Sequence, residues 1–236
     1  MAKILFLCCV KQISLTRSEE DHLKAIHTLV SSGGRASTNA ISERLSTKAS
    51  SVTDMLKKLA EKGLVKHRPY YGVQLTTKGE KLALHLVRKH RLWETFLVSH
   101  LGFGWNEVHE VAEQLEHITS EKLVEKLDEY LGRPAFDPHG DPIPDRFGRM
   151  QKRNLRRLTD CPIGEAVRIV AVDDPSDALL DHLDGKGIAI GTVITVHERS
   201  QFDGSVQVQL RSRKIEDRKL IDLSEQVAHH LHVEVP

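Results

Sequence analysis

The sequence predicts a mainly α chain that ends in a small β domain. Three observations predict it. Apolar residues recur at three- and four-residue spacings from Ser18 to about Gly132, residues 134–147 hold four prolines, and beyond Thr159 the apolar period falls to two. The expected order is a helix–helix–helix–hairpin unit at 15–77, a helical domain at 78–148, and a small β-barrel at 159–236.

In the first unit, Leu23, Ile26, His27 and Val30 mark one helix that Gly33-Gly34 stops. Ser37 caps a short second helix carrying Ile41 and Leu45. A third runs from about Lys48 to Glu61, with Val52, Met55, Leu56 and Leu59 inward and Gly63 ending it. Alternation around Tyr70-Tyr71-Gly72 then reads as two short strands. Three helices and a hairpin make a winged helix-turn-helix. Thr76 or Thr77 opens a long helix to about Val98, broken by Gly102-Phe103-Gly104. A helix from about Asn106 to Ile118 and another from Ser120-Glu121 to near Gly132 complete the middle. Strands are expected at Val167-Ile169, Val193-Val196, Val206-Leu210 and Val233-Val235.

A chain of 236 residues, 39% hydrophobic and 28% charged, can bury a core as an ordinary globular protein. Its formal net charge of +1 excludes any argument from global basicity, but the charges are unevenly placed. Residues 35–68 carry eight Lys/Arg against Glu43, Asp54 and Glu61, whereas residues 106–130 carry eight carboxylates against Lys122 and Lys126. Cys8, Cys9 and Cys161 offer no disulfide framework, which favours a reducing compartment. The apolar run near Met1 lacks a small-residue cleavage site, and no span approaches the ~20 apolar residues of a membrane helix. The expected localisation is cytoplasmic, with no membrane partner.

Two segments carry chemistry. The third helix begins Lys48-Ala49-Ser50-Ser51-Val52-Thr53, one cation and three hydroxyls around a small residue, as suits a helix end held against base edges. Lys57 and Lys58 follow as phosphate contacts. Double-stranded DNA is therefore the expected partner. The helix from Asn106 places His109, Glu113, Glu116 and His117 on one side by its 3.6-residue repeat, and the preceding helix supplies His90 and Glu94 one turn apart. Clustered carboxylates repel one another, and a divalent cation offsets that cost. A solvated acidic face is the competing reading. His109-Glu110-Val111-Ala112-Glu113 also approaches the H-E-x-x-H metallohydrolase signature. Glu113 replaces the second histidine, and helix geometry turns Glu110 away from the Glu113–His117 row, so no catalytic residue is assigned.

These residues identify a resemblance to the diphtheria toxin repressor family of metal-dependent transcriptional regulators, from about Ser18 onward. It rests on Glu20-Asp21-His22-Leu23, Ser51-Val52-Thr53, Leu75-Thr76-Thr77-Lys78-Gly79, Arg88-Lys89-His90-Arg91-Leu92, Val108-His109-Glu110, Leu115-Glu116-His117 and the linker Asp137-Pro138-His139-Gly140-Asp141-Pro142-Ile143-Pro144. The resemblance implies a DNA-reading winged helix, a metal-binding and dimerisation domain, and an SH3-like terminal module. It implies a homodimeric repressor on a palindromic operator. A primary metal site is implied at Asp21, Glu113, Glu116 and His117, and an ancillary one at His90, Glu94 and His109. Further ancillary ligands are expected from the β-domain, where Asp174 and Asp177 lie nearby but out of register. The iron-responsive branch carries methionine and cysteine at the positions of Asp21 and Glu113. Carboxylates there make Mn²⁺ the expected cofactor, with Fe²⁺ the alternative. Lys24 stands where the short manganese regulators carry a glutamate.

Overall fold

The computed structural model describes residues 14–68, 72–173, 175–211 and 219–236. The opening apolar run with Cys8 and Cys9, the hairpin tip Pro69-Tyr70-Tyr71, and Asp174 lie outside them. The chain divides into two compact units within one helix, after Val87.

The first unit begins with α1 (Arg17–Ser31), closed at its start by a reciprocal capping box between Thr16 and Glu19. Ser37 caps α2 (Thr38–Arg44), and Lys48 precedes α3 (Ala49–Glu61). β1 (Val65–Arg68) pairs antiparallel with β2 (Gly72–Leu75) in the register Val65↔Leu75 to Arg68↔Gly72. Leu23, Ile26, Ile41, Val52, Leu59, Leu64 and Val73 close one core beneath these elements. Met55 and Leu56 pack only partly buried at its margin. The winged helix-turn-helix is present as read.

α4 (Thr77–Leu101) carries the chain into the second unit. α5 is shorter than the sequence suggests, spanning Val108–Leu115. Its end tightens as Ile118 N–H turns back to Leu115 O, so Glu116 is the C-cap and His117 lies beyond the helix. At its start, Glu107 accepts from the Gly104 N–H and so holds a turn rather than a helical turn. α6 (Glu121–Tyr130) follows its Ser120 cap. Leu92, Val124, Leu127 and Ile143 bury the contact of α4 and α6 with the linker.

Beyond the linker come β3 (Arg156–Arg157), a 3₁₀ turn (Leu158–Asp160), β4 (Ala166–Val172), α7 (Asp177–Gly185), β5 (Val193–Arg199), β6 (Val206–Leu210), β7 (Leu220–Leu223), α8 (Glu225–His230) and β8 (Leu231–Glu234). The strands form one antiparallel sheet in the order β3-β8-β4-β5-β6-β7. The expected strands are all present. The sequence reading omitted β3, β7 and the helices α7 and α8. Inward residues Val167, Ile169, Ile194, Val196, Val206, Val208 and Leu231 make the core, joined by Leu180 and Leu183 of α7. Trp105, from the loop before α5, belongs to this core as well.

Candidate metal centre and DNA-reading helix

On α3, Lys48, Ser50, Ser51, Thr53, Lys57 and Lys58 are all exposed, while Val52 and Leu59 are buried. The heptad-like burial of the inner face leaves these six outward. Thr53 Oγ1 donates to Ala49 O at 3.0 Å, and Lys57 Nζ pairs with Asp54 at 3.3 Å. That exposed ion pair contributes little stability and leaves Lys57 able to exchange partners.

In the second unit α4 and α5 bring the predicted histidines and carboxylates together. His90 Nε2 lies 2.9 Å from Glu94 Oε1 and 3.1 Å from His109 Nδ1, and His109 Nδ1 lies 3.2 Å from the same Glu94 oxygen. These are hydrogen-bond distances, and they bring the three side chains close enough to serve one divalent cation; His90, His109 and Glu113 likewise offer ligand atoms within 4.8 Å of one another. His109 Nε2 approaches Glu113 at 3.5 Å, and the other face of His90 meets Glu116, with Nδ1–Oε2 at 2.6 Å. His90, Glu94 and Glu116 are buried, whereas His109 is more than half exposed. Glu116 keeps α-helical backbone angles and its N–H bonds Ala112 O, so the last turn of α5 directs that carboxylate onto His90. His117 is partly buried just beyond the helix, and Asp21 is partly buried on α1 of the first unit.

Two donors escaped the sequence reading. Glu94, Asp137 and His139 form a buried trio whose ligand atoms lie within 4.8 Å of one another. His139 Nε2–H donates to Trp105 O at 2.7 Å, which leaves Nδ1 facing the trio, 3.9 Å from Glu94 Oε2. Asp137 Oδ1 accepts from the N–H groups of His139 and Asp141, both at 2.9 Å, and Arg91 Nε sits 3.3 Å from Oδ2. Among the described residues these extra donors come from the linker; Asp177 instead opens α7. The available signal was the Asp-x-His spacing between prolines, with Gly140 next.

Electrostatics separates the two buried carboxyls. Burial would raise the Glu94 pKa, but the His90 charge, hydrogen bonds from His109 and His90, and His139 hold it far below the ordinary carboxylate range. For Asp137, burial dominates and Asp141 and Glu94 add repulsion, pushing it up to about 7 despite Arg91 and His139. A buried carboxyl beside two others is an arrangement that a cation stabilises. The donors present thus fit a divalent metal, and they are imidazole nitrogen and carboxylate oxygen throughout.

Three comparisons place the chain as a whole among known proteins. Residues 14–73 match the family described as iron dependent repressor, N-terminal DNA binding domain; residues 76–145 match its metal binding and dimerisation domain; residues 156–235 match the FeoA domain, an SH3-like module. The iron-dependent repressor IdeR of Mycobacterium leprae is 31% identical over 77% of this chain and 84% of its own. The diphtheria toxin repressor of Corynebacterium efficiens is 28% identical over 93% and 96%. A solved structure described as a manganese-dependent transcriptional repressor in complex with manganese is 35% identical, with TM-score 0.79 over 92% of this chain and all of that one. A winged helix, a helical metal centre and a terminal sheet module define a metal-dependent transcriptional repressor, not an enzyme. The chain belongs to the diphtheria toxin repressor family. Among the described residues, no helix is long and apolar enough to cross a membrane.

Proposed function

We propose that this protein is a manganese-responsive repressor that binds a palindromic operator as a metal-loaded homodimer in the cytoplasm and controls metal-ion homeostasis. The observation that carries the reading is the donor chemistry. Every candidate group among the described residues is built of His, Asp and Glu, and carboxylates occupy the two positions where the family's iron branch has methionine and cysteine. The division of labour follows the segments 15–77 for DNA, 78–148 for metal and dimerisation, and 159–236 for the SH3-like module.

In this reading Lys48, Ser50, Ser51 and Thr53 address base edges, and Lys57 and Lys58 hold phosphates. His90, Glu94 and His109 hold the ancillary metal, joined by Asp137 and His139. The family resemblance assigns the primary metal to Asp21, Glu113, Glu116 and His117. A bound divalent ion supplies charge that offsets the repulsion among these carboxylates. Because the primary ligands come from both the DNA-reading and the dimerisation segments, holding them together biases a two-state equilibrium toward a DNA-competent dimer. Glu116 accepts from His90 through one oxygen, so the primary and ancillary sets share a hydrogen bond.

An iron-responsive reading is favoured by one observation, the likeness to iron-dependent IdeR over most of the chain. Operator binding titrated anaerobically with Mn²⁺ and with Fe²⁺ separates the two. Manganese should activate the wild type, and Asp21→Met with Glu113→Cys should shift activation toward Fe²⁺ or Co²⁺, because thioether and thiolate favour softer ions. An identical metal profile in wild type and double variant would remove these residues as selectivity determinants.

A further inference from the structure

The linker trio is held from behind by the FeoA module. Asp137 folds residues 137–141 into a tight turn through its bonds to the His139 and Asp141 N–H groups. At the crest, Gly140 has φ +89°, and a Cβ there would lie 2.0 Å from Val170 O and 2.6 Å from Ala171 Cα. Only glycine can make that approach. The seat is a bulge in β4, where the pairing with β8 slips between Ile169 and Ala171. The next free amide of that strand, Val172 N–H, donates to His139 O at 3.0 Å. On the other side His139 Nε2 is fixed by Trp105 O, and Trp105 is itself anchored in the module's core. Asn106, one residue on, donates to Asp181 of α7.

We propose that the FeoA module positions His139 through the β4 bulge, so that Gly140 and the Val172 amide set the metal affinity of the Glu94–Asp137–His139 trio. This rests on the reading that the trio holds a divalent cation. His139 is clamped at its backbone carbonyl and at its distal ring nitrogen, so the freedom left to Nδ1 is small. Preorganising a ligand in this way raises affinity by removing the ordering cost from the binding step. Linkage makes the effect reciprocal: metal on the trio must tighten the turn on the bulge.

The test uses the full-length chain with Mn²⁺ as the probe. Hydrogen exchange at the Val172 amide should slow when Mn²⁺ is added to wild type, and His139→Ala should abolish that response. Gly140→Ala should weaken one Mn²⁺ equivalent by about tenfold or more, the scale of lost outer-shell support, and leave the remaining binding unchanged. If His139→Ala loses one equivalent but wild-type Val172 exchange ignores Mn²⁺, the positioning role is overturned while the metal reading stands. If His139→Ala and wild type bind the same number of Mn²⁺ ions, the trio is not a metal site. The exchange measurement on wild type decides the matter even if Gly140→Ala fails to fold.

Discussion

At the scale of single residues, the same side chain changes meaning with the backbone that carries it. Asp145 illustrates this outside the metal centre. Burial would raise its pKa, but the N–H groups of Arg149 and Phe147 and the Arg149 guanidinium hold it below its ordinary value of 3.8. A lowered folded-state pKa contributes stability that is complete above pH 3.8 and disappears as pH falls through the lower value. Asp145→Asn should therefore flatten the acid limb of urea-unfolding stability between pH 5 and pH 3 relative to wild type; parallel curves would contradict the bonding described. His90, Glu94, His109 and Glu113 were legible because helical spacing alone places them on facing sides. Asp137 and His139 were not, since a turn has no period, and their convergence on Glu94 depends on contacts distant in sequence.

At the scale of elements, caps and faces were readable and ends were not. Ser37 was expected to cap α2, and its hydroxyl accepts from the Ala40 N–H at 3.1 Å. Ser37→Ala should lower unfolding stability by about 1 kcal/mol, measured by denaturant titration, because one helix-terminal donor loses its partner. α3 makes the functional prediction. Replacing Lys48, Lys57 and Lys58 together by alanine should weaken operator binding and reduce its salt dependence by about two units of slope, one for each of the phosphate contacts of Lys57 and Lys58. Anisotropy titrations at several salt concentrations would show it, and an unchanged slope would move the DNA-contacting surface elsewhere. α5 was read too long because Glu116 and His117 fit its period. The helix stops where the Ile118 N–H bonds back to Leu115 O, a local backbone turn that side-chain periodicity does not register.

At the scale of the whole molecule, the order of modules was legible from the change of period at the proline-rich linker. The packing that joins linker and sheet was not. Trp105 sits 9% exposed among Leu158, Val167, Leu180 and Val233, although it precedes that module by a helix pair and a linker. Trp105→Ala should cost about 3 kcal/mol or more and lower the denaturant midpoint of the second unit, with near-ultraviolet circular dichroism as the probe. A midpoint equal to wild type would mean that the sheet closes over the gap. The segment recognisable by sequence as FeoA is thus not the segment that packs as one. Grafted onto another protein from Arg156 onward, it would arrive with an indole-shaped notch in its interior. Recombination that exchanges such modules between regulators must carry the tryptophan loop along, or find a new plug for the host.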